Sequence, residues 1–127
     1  MQKKLIYKRL SYKINGGLFK VHNLLGRFRS EKSYADAFES WLKKVKIKYT
    51  REIAIEPSFE GEARRRNIPD FIIENKIVID FKAKKFITKE DYNQMQRYLN
   101  SSNLTLGMVV NFRNTYLKPK RVINYKN

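Results

Sequence analysis

The sequence predicts an α/β domain, a mixed β-sheet flanked by helices. Three observations lead there: a helical period early in the chain, a period of two in its middle, and an apolar strand after a third helix. The predicted order is α-α-β-β-β-α-β. We read residues 1–127 as a single domain with its core at about 10–112 and basic termini.

Residues 10–25, LSYKINGGLFKVHNLL, place Leu10, Ile14, Leu18, Val21 and Leu25 on one helical face despite Gly16 and Gly17. Gly26 supplies a stop. A second helix begins near Ser30, where Tyr34, Ala37, Phe38, Trp41, Leu42 and Val45 form the strongest helical stripe in the chain. The period then falls to two. YTREIAIE reads as a strand with Ile53 and Ile55 on one face, and GEARRRN as a charged loop. IPDFII and KIVIDFKA read as a hairpin. Thr88 and Asp91 resemble a capping box opening a helix over about 89–101. LTLGMVVNF is a buried strand, and RVINY an added edge strand.

An apolar fraction of 42%, with eight Tyr, eight Phe and one Trp, argues for a folded globule. The formal charge of +16 calls for a polyanionic partner, and nucleic acid is the expected one. No apolar run approaches the length of a membrane span, so no membrane partner is expected. The N-terminal MQKKLIYKRL lacks the apolar region of a signal peptide. With no cysteines either, the expectation is a cytoplasmic protein. Thiolate sites and a Cys nucleophile are excluded, and one histidine, His22, makes no His-rich zinc site. A resident metal must therefore be held mostly by oxygen, which favours Mg²⁺, with Mn²⁺ the alternative.

The hairpin holds the feature that needs explaining. Asp70 and Asp80 sit in its apolar runs, and an isolated buried carboxylate costs several kcal/mol unless paired or bound to a cation. If the turn is the three-residue ENK, with Asn in the left-handed region, Ile73 faces Ile77 and Asp70 lies opposite Asp80. Asp80 and Lys82 then share a face, and Ile77, Ile79 and Phe81 take the other. A two-residue turn puts the acids on opposite faces, and the sequence leaves both registers open. In the first, the carboxylates repel by about 3 kcal/mol at an effective dielectric of 20. A divalent cation between them reverses that sign. Lewis-acid chemistry there, with Lys82 orienting the attacking water and offsetting charge on phosphate, is phosphodiester-cleaving chemistry.

Glu31, three residues before Tyr34, offers a third inward carboxylate, although an acid in a first helical turn also complements the helix dipole. Gln94, beside Asp91 and Tyr98 on the third helix, is a candidate for a water or the nucleic-acid backbone.

Pro69–Asp70 followed by Asp80-Phe81-Lys82 resembles the PD-(D/E)xK nuclease superfamily. KINGGLFKVHNLLG, SEKSYADAF, PDFIIENKIVIDFKA, QMQRYL and LTLGMVVNF are similar, in order and spacing, to its small GxxExxY proteins, from about Leu10 to Phe112. The resemblance implies a restriction-endonuclease-like core with Mg²⁺ at the hairpin. It implies Asp70 and Asp80 as metal ligands, Lys82 as the catalytic lysine, Glu31 and Tyr34 as the motif's Glu and Tyr, and Gln94 as the glutamine after the core. Glu31 is accordingly expected to join the metal site. Phe28 stands where that motif has its first Gly.

Arg64, Arg65 and Arg66 precede the hairpin, and Lys84 and Lys85 follow it, as expected phosphate contacts. Lys3, Lys4, Lys8, Arg9, Lys118, Lys120 and Arg121 extend the footprint, whereas Lys43, Lys44 and Lys46 read as a solvated helix end. Tyr7, Tyr12, Tyr116 and Tyr125 are the aromatics freest to stack on bases, and His22 is expected to make a structural hydrogen bond. The function expected is a metal-dependent endonuclease acting on DNA. The alternatives are a junction resolvase working as a homodimer and a non-catalytic protein bound to structured RNA.

Overall fold

The computed structural model describes residues 6–126, so Lys3 and Lys4 lie outside the described residues. Two helices come first, α1 (Lys8–Leu25) and α2 (Glu31–Lys44). Strands β1 (Tyr49–Arg51), β2 (Phe71–Ile73) and β3 (Ile77–Lys82) follow, then α3 (Lys89–Ser102), β4 (Leu106–Asn111) and β5 (Lys120–Ile123). The sheet order is β1-β2-β3-β4-β5, with only β3 and β4 parallel. A parallel pair needs a crossover, and α3 is that crossover. The predicted mixed α/β architecture is present, with β5 added as the edge strand RVINY suggested.

Alternation along β3 decides what each face meets. Ile77, Ile79 and Phe81 join the cluster formed with Ile14, Leu18, Tyr34, Phe38 and Leu42 from α1 and α2. Val78 joins Met95, Tyr98 and Leu99 of α3. The sheet therefore lies between the α1–α2 pair and α3, and Asp80 and Lys82 fall on the α3 side by strand periodicity. Phe38 packs edge-on to Phe71 and Phe81 at centroid distances of 5.1 and 5.5 Å. Each such fully buried ring contributes roughly 1.5–3 kcal/mol.

The helix ends follow their sequence signals. Ser30 caps α2 by accepting from the Ser33 N–H at 3.1 Å. Thr88 and Asp91 form the expected capping box of α3. Gly26, at φ 76°, ends α1 in the left-handed region that favours glycine. Gly17 is tolerated within α1 because the Trp41 indole of α2 presses against it where a Cβ would stand.

One strand is shorter than expected. Pairing of β1 stops at Arg51, Glu52 takes φ 54°, and Ile53 is exposed. Ile55 instead leaves the sheet and packs against the cluster around Met95 and Leu99, with its N–H bonded to the Asn67 carbonyl. The alternating pattern of REIAIE thus serves a loop, a case of tertiary contacts overriding local propensity.

Candidate active site

The hairpin adopts the register that brings its acids together. Ile73 pairs with Ile77, Ile72 with Val78 and Phe71 with Ile79, so the next pair outward is Asp70 with Asp80. The turn is closed by the Lys76 N–H on the Ile73 carbonyl at 2.9 Å, with Glu74 and Asn75 both at positive φ. Asn was the expected left-handed residue, and Glu74 shares that strain.

Asp70 is half-buried and Asp80 buried. Asp70 Oδ2 accepts from the Phe81 N–H at 2.6 Å. Burial, and then the negative charge of Asp80, raise the Asp70 pKa to about 7 against the pull of that N–H. Lys82 Nζ lies 2.9 Å from Asp80 Oδ2 and donates to Gln94 Oε1 at 3.0 Å. Burial opposes its charge, but the charge and hydrogen bond of Asp80 together with the charges of Asp91 and Glu31 raise its pKa, so it is an ammonium at neutral pH.

Asp91 adds a carboxylate that sequence reading assigned only to capping. Its Oδ2 lies 2.6 Å from Lys84 Nζ, and its Oδ1 lies 3.9 Å from Lys82 Nζ. Burial works against ionisation, yet bonds from Lys84 and Thr88 hold its pKa below the usual carboxylate range. Asn111 grips the segment after β3 through the Lys84 N–H at 3.1 Å and the Lys84 carbonyl at 2.7 Å. Its only sequence signal was an amide at the end of an apolar run. Tyr98 lies near enough that, after burial, the charges of Asp80 and Asp70 raise its pKa.

Glu31 is the first residue of α2 and is exposed. Its charge reaches Asp70 and Lys82, but among the described residues no three acidic, His or Cys side chains form a cluster able to hold a metal. Tyr34 fixes the segment before it. The Tyr34 hydroxyl donates to the Gly26 carbonyl at 2.5 Å and accepts from the Arg29 N–H at 3.2 Å, while its ring stacks on Phe112 at 4.1 Å. His22 Nε2 is 2.9 Å from the Asn114 carbonyl, the structural bond expected of it.

The basic residues divide. Arg64, Arg65 and Arg66 are exposed in the loop before the hairpin, Lys84 is paired with Asp91, and Lys85 is exposed. Arg121, expected in the binding footprint, is committed elsewhere. Its guanidinium donates to Ser11 Oγ and to the Ile6 carbonyl, both at 2.9 Å, tying β5 to the start of the chain.

A family model described as the PD-(D/E)XK nuclease superfamily matches residues 8–123. The chain belongs to that superfamily. No curated protein and no solved structure matches the chain. Membership in the PD-(D/E)XK nuclease superfamily supports metal-dependent hydrolysis of phosphodiester bonds, and so a nucleic-acid substrate. The donor set suits a hard cation: two carboxylates whose mutual repulsion such an ion relieves, and no sulfur ligand. Among the described residues, no helix is long and apolar enough to cross a membrane.

Proposed function

We propose that the chain, as a single domain, is a Mg²⁺-dependent deoxyribonuclease that cuts within DNA. The observation that carries this reading is the convergence of Asp70, Asp80, Lys82 and Gln94 on one side of the sheet. Asp70 and Asp80 would hold the cation, since carboxylate oxygens suit a hard ion such as Mg²⁺. When bound, that ion supplies Lewis-acid polarisation of the phosphate and a more acidic water.

The chain's own groups do the rest. Lys82, braced by Asp80 and Gln94, presents a fixed ammonium to the attacking water and to charge growing on the phosphate oxygens. Water adds to phosphorus, the bond to the leaving oxygen breaks, and a phosphate end and a hydroxyl end result. Glu31 assists from the start of α2 through its charge. Arg64, Arg65, Arg66, Lys84 and Lys85 hold flanking phosphates.

The test is a panel of Mg²⁺, Mn²⁺ and EDTA against linear, supercoiled, branched and single-stranded DNA and against RNA. Cleavage of DNA in Mg²⁺ but not in EDTA, lost in Asp80→Asn with binding retained, is the expected result. Tighter binding by Asp80→Asn with no metal-dependent product from any substrate marks a non-catalytic binding protein instead. Cleavage of RNA alone overturns the choice of DNA.

A further inference from the structure

Phe28 is an exposed phenyl ring set among cations at the edge of the candidate site. It is 73% exposed. The Arg27 guanidinium carbon lies 4.8 Å from the ring centroid and that of Arg113 lies 5.4 Å away. The arrangement is braced: Arg27 Nε donates to the Arg113 carbonyl at 2.7 Å, and Arg113 Nη2 to the Ala83 carbonyl at 3.4 Å. Ala83 follows Lys82 directly, and the Phe112 N–H bonds the Lys82 carbonyl at 2.9 Å. Phe28 is thus anchored to the end of β3 that carries Lys82, three residues before Glu31.

We infer that Phe28, with Arg27 and Arg113, forms a subsite that stacks one unpaired base of the nucleic acid next to the phosphate to be cut. The inference rests on the nucleic-acid reading of the site. A largely exposed aromatic ring beside guanidinium groups combines the two elements that hold single strands, base stacking and phosphate attraction. Phe86 repeats the pattern in the segment after β3, 69% exposed with Lys85 Nζ 5.7 Å from its centroid. A second copy of the chain is a poorer occupant, because Arg27, Arg29 and Arg113 would face their own like charges on a chain of net charge +16. The subsite favours single-stranded or branched substrates, since a base within duplex must first leave its stack.

The test measures equilibrium binding in EDTA, where turnover is stopped, using a single-stranded oligonucleotide and the same sequence as duplex. In the full chain, Phe28→Ala is expected to weaken single-strand binding about tenfold and duplex binding less than about twofold. Phe28→Trp is expected to retain affinity, with fluorescence beyond that of Trp41 quenched by the single strand only. Equal losses on both probes, or none on the single strand, overturn the inference. So does an unchanged affinity accompanied by a smaller oligomer, which assigns the ring to self-association. Because no cleavage is read, failure of the nuclease reading stays separate: a chain that cuts nothing but shows the Phe28→Ala loss keeps the subsite.

Discussion

Asp70 accepts a hydrogen bond from the N–H of Phe81, the residue that follows Asp80, at 2.6 Å. The bond crosses from one arm of the hairpin to the other at the level of both acids. It holds together two carboxyl groups that, when both are ionised, would otherwise separate by splaying the strands. A protein that maintains such a repulsion gains most when a cation arrives.

Divalent metal is therefore expected to stabilise the wild-type chain and to have little effect on Asp80→Asn. At a hundredfold excess over Kd the gain is about 2.7 kcal/mol. Thermal unfolding with and without Mg²⁺ measures it. An equal shift in both proteins removes Asp80 from the ligand set.

Lys82→Gln separates holding the ion from using it. The metal-induced stabilisation should persist while the cleavage rate falls at least about a hundredfold. Gln94→Leu, which removes one of the acceptors bracing the ammonium, should cost about tenfold in rate with little change in substrate affinity. Initial rates over a substrate series distinguish the two.

Binding should be strongly salt-dependent. With about six phosphates neutralised, log K falls against log salt with a slope near −5, and each of Arg64→Ala, Arg65→Ala and Arg66→Ala makes the slope shallower by about 0.9. Titrations at several salt concentrations in EDTA check this. Slopes unchanged by all three substitutions place the phosphate contacts elsewhere.

The two adjacent glycines of α1 should respond oppositely to alanine. A Cβ on Gly17 runs into the Trp41 ring, so Gly17→Ala should destabilise by about 1–3 kcal/mol. Gly16 has open space around it, and Gly16→Ala should stabilise by about 0.5–1 kcal/mol. Denaturant unfolding of both variants decides the matter.

Acid stability has an identifiable contributor. Glu39 accepts from the Tyr49 hydroxyl at 2.6 Å and from Arg51 at 2.8 Å, and Arg51 also pairs with Asp36 at 2.9 Å. The bond from Tyr49, then that from Arg51, holds the Glu39 pKa below its ordinary 4.5. A depressed carboxylate pKa adds stability above the unfolded value and loses it as pH falls through the folded one. Glu39→Gln should thus be less stable than wild type by about 1 kcal/mol at neutral pH, a figure discounted for partial exposure. The gap should close below about pH 4.5. Unfolding midpoints across pH test the sign.

The elements with long periodic patterns were readable from residues alone. The stripe through Tyr34, Phe38 and Leu42 is local, as is the Thr88–Asp91 cap, so sequence spacing carries both. The hairpin register was legible only as a pair of choices, because Glu74 in a left-handed conformation is a cost that tertiary pairing repays and propensity does not foresee. REIAIE misled for the same reason: the surroundings, and not the alternation of Ile53 and Ile55, decide where β1 ends. Within the site, Asp70, Asp80, Lys82 and Gln94 were nameable beforehand. Asp91 as a partner of Lys84 and Asn111 as a brace were not, since each acts through residues distant in the chain.

The three-residue turn at Glu74–Lys76 has a consequence for molecules that fold wrongly. Sliding one arm of the hairpin by a single position would carry Asp70 or Asp80 to the opposite face and leave its neighbour alone. A mispaired copy would then lack the juxtaposed carboxylates, so it is the correct pairing of the two arms that assembles the candidate site.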